Sequence, residues 1–62
     1  MTREEKATHA AMEAVSQILL DLLEQPRLAQ AWGRLSAEKR ESIRQRWISI
    51  AVKVFLDWEG RQ

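Results

Sequence analysis

The chain contains no cysteine and no tyrosine, a single proline and two isolated glycines. Without cysteine, neither a disulfide nor a thiolate-bound metal can supplement the core. Gly33 and Gly60 stand alone, so there is no glycine-rich loop to cradle a phosphate. Long hydrophobic runs are missing too. The two most apolar stretches, 18–23 and 48–56, are interrupted by Asp21 and Lys53, and both fall short of the roughly 20 residues a membrane span requires. The opening Met-Thr-Arg-Glu-Glu-Lys leads into no apolar segment of the kind a secretory leader has. The expectation is a cytoplasmic protein with no membrane association. Repeats, low-complexity segments and linkers are likewise absent.

What remains is a short chain, rich in both apolar and charged residues. A domain of about 60 residues buries only about 60% of its unfolded surface, and scaffolds of that size lean on disulfides, metals or a partner chain. With the first removed, the sequence points to association or to very efficient helix packing. The apolar residues recur with helical period. In the first half Ala7, Ala11, Ala14, Val15, Ile18, Leu19, Leu22 and Leu23 form one stripe, with Met12 and Leu20 outside it. In the second half Ile43, Trp47, Ile50, Ala51, Val54, Phe55 and Trp58 form another, centred on Ile50, which Ile48, Val52 and Leu56 widen past half the circumference. A surface helix needs an apolar arc of only roughly 100°. Both arcs exceed it, so more hydrophobic surface is present than one hairpin can cover.

Local signals divide the chain into three helices. Thr2-Arg3-Glu4-Glu5 reads as a capping box, in which Thr2 caps the helix and Glu5 reaches back. The acidic first turn suits the positive end of the helix dipole. Pro26 biases Gln25 away from helical geometry and is itself suited to a first helical turn. Leu28 and Trp32, spaced i and i+4, share a face of the short helix that follows. Gly33 is expected to stop that helix in the left-handed conformation. Ser36 caps the third helix, and Gly60 supplies its stop. The expected spans are about 3–24, 27–32 and 37–59. The predicted fold is all-α: an antiparallel hairpin of two long helices joined by a short helix, dimerising into a four-helix bundle.

Charge is nearly balanced at +1 but unevenly placed. Residues 1–25 carry two basic and five acidic side chains, and residues 26–62 carry eight basic and four acidic ones. Such asymmetry fits mutual pairing of the halves or a basic face for an acidic partner. Lys39, Arg46 and Lys53 are spaced seven apart and form a basic ridge beside the third helix's stripe, with Arg40 and Arg44 near its start.

Catalytic and ligand motifs are sparse. His9 is the only histidine and forms an i−4, i, i+4 trio with Glu5 and Glu13; without a further convergent ligand this reads as a solvated face rather than a metal site. Ser16, Ser36, Ser42 and Ser49 have no base within motif spacing other than His9. No enzyme activity and no cofactor are expected.

Two resemblances bear on function. Ala29-Gln30-Ala31-Trp32-Gly33 resembles the first half of a helix-turn-helix, with an alanine, three residues and the turn glycine. The second half departs from that pattern, because Ser36, Lys39 and Ser42 stand where the motif has apolar residues. The stretch from Trp32 through Gly33-Arg34-Leu35-Ser36-Ala37-Glu38-Lys39-Arg40-Glu41 to Trp47 resembles short phage and prophage proteins, in which an aromatic and a leucine precede a capped, arginine-rich helix start. That resemblance implies a small helical accessory protein that binds and blocks a host protein, as anti-CRISPR and other host-takeover proteins do.

The leading expectation is therefore a non-catalytic protein-interaction module, homodimeric, acting as an inhibitor or adaptor on a protein partner. The alternatives are a small DNA- or RNA-binding regulator using the ridge of Lys39, Arg46 and Lys53, and a structural subunit of a larger assembly. For protein contact, Trp58 is expected to join Phe55 or Leu56 near the end of the third helix, with Leu56 pointing where only a second molecule can cover it. Arg46 and Lys53 would steer an acidic partner.

Overall fold

A computed structural model describes residues 2–61. Among them the chain forms three helices and no strand: α1 (Arg3–Leu23), α2 (Pro26–Gly33) and α3 (Ala37–Gly60). The helix starts are set by side chains. The Thr2 hydroxyl accepts from the Glu5 N–H at 3.1 Å and donates to the Glu5 carboxylate at 3.2 Å. The reciprocal contact of this cap is thus made through the hydroxyl. Ser36 Oγ accepts from the Lys39 N–H at 3.1 Å, satisfying one of the orphan donors of α3. Pro26 begins α2 with no side-chain cap on Gln25.

The ends of α2 and α3 depart from the sequence expectation. Neither glycine has a positive φ. Gly33 is the last helical residue of α2, followed by Arg34 in right-handed helical geometry. The chain turns here through helical backbone, closed by the Leu35 N–H on the Trp32 carbonyl at 3.2 Å. Nothing lies within 4 Å of the position a Cβ would take at Gly33. Gly33→Ala is therefore expected to stabilise the fold by about 0.4–1 kcal/mol, because it restricts the unfolded chain at no cost to the folded one. A thermal melt followed by circular dichroism checks this, and a lower Tm would count against the geometry.

α1 and α3 lie antiparallel. The start of α1 meets the end of α3, where Arg3 Nε donates to Glu59 at 3.0 Å and Arg3 Nη2 donates to the Leu56 carbonyl at 3.1 Å. Both charged side chains are exposed, so this pair fixes register more than it stabilises. Ala7, Ala11 and Val15 of α1 are buried, and Ile48 is their counterpart on α3. The alanines at these positions let the two backbones approach closely. Leu19, Trp47, Ala51, Val52 and Phe55 pack around the cluster of Ala11, Val15 and Ile48 without being fully enclosed. α2 folds back against α1 and sets Trp32 on Trp47, with ring centroids 5.7 Å apart and planes 19° from parallel, a stacked arrangement.

The wide arc of α3 resolves into three rows, each spaced by four residues. Ile48, Val52 and Leu56 face α1: Ile48 is 7% exposed and the other two are half-buried. Trp47, Ala51 and Phe55 lie along the seam and are also half-buried. Ile50, Val54 and Trp58 face solvent, at 54%, 58% and 59% exposure. This overturns the expectation that Ile50 is the centre of the buried stripe. Ala7, Ala11 and Val15 also recur every four residues, so the contact line follows the i±4 ridges. It winds slowly around α1, passing through Leu19 and leaving Ile18 outside. On α3 the matching ridge is that of Ile48. Leu56 is corrected by the same finding, since its own chain half-buries it.

Candidate interaction surface

The solvent-facing row of α3 does not stand alone. Ala14, Ile18 and Leu22 of α1 and Trp47, Ile50 and Ala51 of α3 line an open groove of about 440 Å³, with the buried Val15 beneath. Leu22 and Trp47 also border an adjoining hollow with Leu28, Trp32, Leu35 and Ile43. The two depressions form one apolar strip that runs from α2 across the Trp32–Trp47 stack into the groove. Val54 and Trp58 extend the same edge of α3 towards its end. Ile18 is 59% exposed. Met12, Leu20 and Leu23 of α1 are exposed as well.

The area agrees with this picture. The chain exposes 5130 Å², whereas a compact monomer of its 7.2 kDa mass exposes about 4,100 Å² by the general scaling of surface with mass. The excess is close to the about 800 Å² per partner that a standard protein interface buries.

Polar groups border this strip rather than enter it. Arg46 stands one turn before Ile50, and Lys53 and Asp57 flank Val54. Lys6, Glu13, Asp21, Lys39, Arg46 and Lys53 are all exposed. None of the six forms an ion pair among the described residues; the pairs that form are Arg3–Glu59, Arg44–Glu41 and Arg61–Asp57.

The expected contact residues are separated by the fold. Trp58 is on the exposed row, but its neighbours there are Ile50 and Val54; Phe55 is in the seam and Leu56 is on the α1 side. Arg46, Lys53 and Lys39 are exposed along α3. Ile18, Ile50 and Val54 were not among the expected contact residues. The signal that could have singled out the last two is the four-residue spacing of Ile50, Val54 and Trp58, which runs parallel to the row of Ile48 and Val52.

A second hollow lies at the α2–α3 end, lined in part by Trp32, Arg40, Glu41 and Arg44. There Arg44 pairs with Glu41 at 3.0 Å and Gln45 donates to the other Glu41 oxygen at 2.9 Å. These groups satisfy one another. His9, Glu5 and Glu13 are exposed along α1, and among the described residues no three His, Asp or Glu side chains gather as a metal site. Among the same residues no helix is long and apolar enough to cross a membrane. In the helix-turn-helix resemblance the turn glycine is Gly33, whose backbone is helical.

No protein-family model, curated protein or solved structure matches the chain.

Proposed function

We propose that the protein is a non-catalytic interaction module that works as a homodimer, closing the apolar strip between α1 and α3 against a second copy to make a four-helix bundle. The observation that carries this reading is the exposed row of Ile50, Val54 and Trp58 beside Ile18, in a chain whose surface exceeds that of a compact monomer. Fully burying an exposed side chain of this kind contributes about 1.5–3 kcal/mol, and these four are each a little over half exposed, so one copy leaves on the order of 3–7 kcal/mol unused. The resemblance of residues 32–47 to short phage and prophage proteins adds a setting in which the dimer occupies a surface of a host protein.

Sedimentation equilibrium at micromolar concentration tests this, with an expected mass twice the 7.2 kDa of the chain. Trp58→Ala, which removes the side chain from both protomers, is expected to weaken the dimer by about 2 kcal/mol or more, as truncation of a hot-spot aromatic does, or at least roughly 30-fold in Kd. Helix content should be unchanged, because Trp58 is already 59% exposed within its own chain. A cooperative monomer at all concentrations would end the dimer reading.

A second reading has its own observation. Lys39, Arg46 and Lys53 are exposed and in no ion pair among the described residues, as phosphate contacts require. Binding to duplex DNA or RNA that falls steeply with salt, and is lost on replacing these three with Gln while Trp58→Ala is silent, would favour a nucleic-acid-binding regulator.

A further inference from the structure

We infer that the two copies pack with like ends together, α1 of each protomer lying across α3 of the other, so that the charges along the apolar strip pair between chains. The inference rests on the dimer reading above and concerns its geometry. A molecule of 40 × 21 × 18 Å has a long face large enough for a standard interface, and the occupant is assigned by charge.

A two-fold dimer presents the same surface from both partners. With the helices of the two layers aligned as in a four-helix bundle, the axis lies in one of two directions within the interface. With the axis along the helices, α1 packs on the partner's α3 and both α2 segments lie at the same end. With the axis across the helices, α1 packs on α1, α3 packs on α3, and the α2 segments lie at opposite ends. Every neighbouring helix pair is antiparallel in both arrangements, so helix dipoles do not discriminate between them.

The bordering side chains do. Arg3 stands level with Glu59, and Val15 packs with Ile48. In this register Asp21 is level with Ser42, midway between Lys39 and Arg46. Glu13 is level with Ile50, between Arg46 and Lys53. Lys6 is level with Asp57. When the axis runs along the helices, each α1 residue keeps its level and moves over the partner's α3. Asp21 then meets the partner's Lys39 and Arg46, Glu13 meets the partner's Arg46 and Lys53, and Lys6 meets the partner's Asp57. Every one of these contacts joins opposite charges. When the axis runs across the helices at the level of Ile50, Glu13 approaches the partner's Glu13 and Arg46 approaches the partner's Lys53; shifted to the level of Arg46, it brings Glu13 to the partner's Asp21 and Lys39 to the partner's Lys53, again like charges. Like charges brought together oppose that arrangement. Six of the seven side chains are in no ion pair within one copy among the described residues, and Asp57 is held only by the exposed Arg61. Like ends also bring the half-exposed Leu28 of each α2 towards its counterpart.

Charge reversal tests the orientation. With like ends together, Lys53→Glu places a carboxylate against the partner's Glu13, and Glu13→Lys places an ammonium against the partner's Lys53. Each variant alone is expected to dimerise about tenfold more weakly in low salt, and the 1:1 mixture to recover wild-type affinity, because both contacts in the mixed dimer are again of opposite sign. With opposite ends together, Lys53→Glu would instead relieve the contact with Arg46 and tighten the dimer, which would overturn the orientation. Cross-linking gives an independent reading, since the chain has no native thiol. Asp21→Cys mixed with Lys39→Cys should form a disulfide-linked dimer on oxidation, while Glu13→Cys alone should not. A dimer of the correct mass that links through Glu13→Cys refutes the orientation and leaves the dimer standing. A monomer in sedimentation refutes both.

Discussion

Ile48→Asp is expected to leave the chain unfolded at every protein concentration, whereas Ile50→Asp should keep the helical hairpin and lose the dimer. Ile48 is 7% exposed and sits in one cluster with Ala11 and Val15. A carboxylate there has no buried partner, and burying an unpaired charge costs several kcal/mol. A core of this size supplies only about 3–5 kcal/mol in total, so the penalty exceeds what holds the hairpin together. Ile50 is 54% exposed, and in a single copy an aspartate at that position is solvated. In the dimer the same carboxylate would be pressed into the partner's apolar strip. Circular dichroism melts paired with sedimentation separate the two outcomes. Equal loss of helix in both variants, at concentrations where the wild type is a folded monomer, would show that Ile50 is as much a core position as Ile48.

The melting temperature of the wild type is expected to rise with protein concentration, by about 10 °C for a hundredfold increase. Association that stabilises only the folded state contributes about 2.7 kcal/mol over that range. For a dimer of two short chains, each kcal/mol moves Tm by roughly 4 °C. Ile50→Asp should abolish this dependence while retaining a low, concentration-independent transition. A wild-type Tm that is flat across the range would mean that α1, α2 and α3 hold together without a second copy.

Several levels of the structure were written in the sequence. The all-α class and its three helices followed from period, caps and breakers, because these are local: Thr2 and Ser36 cap through their own side chains, and Pro26 begins α2 whatever packs against it. The excess of apolar surface was legible as arc width, and the exposure of Lys39, Arg46, Lys53 and Trp58 followed from their places beside or at the end of the stripe. The manner in which α2 ends was not legible. A glycine at a helix terminus is compatible with either hand of backbone, and the turn at Gly33 takes the right-handed one.

The choice among the rows of α3 belonged to tertiary structure alone. On the helix taken by itself, the rows of Ile48, Val52 and Leu56 and of Ile50, Val54 and Trp58 are equally apolar, and a helical wheel puts Ile50 at the centre of the stripe with Ile48, Val52 and Leu56 at its margin. The decision came from α1, whose small residues at Ala7 and Ala11, continued by Val15, recur every four positions and admit one ridge of α3 and not the other. Packing between helices depends on where one surface is low enough for the other to approach, which is a property of the pair. The amount of hydrophobic surface was therefore determined by the sequence, and only the pairing of α1 with α3 decided that Ile48 is covered while Ile18, Ile50, Val54 and Trp58 are left facing outward.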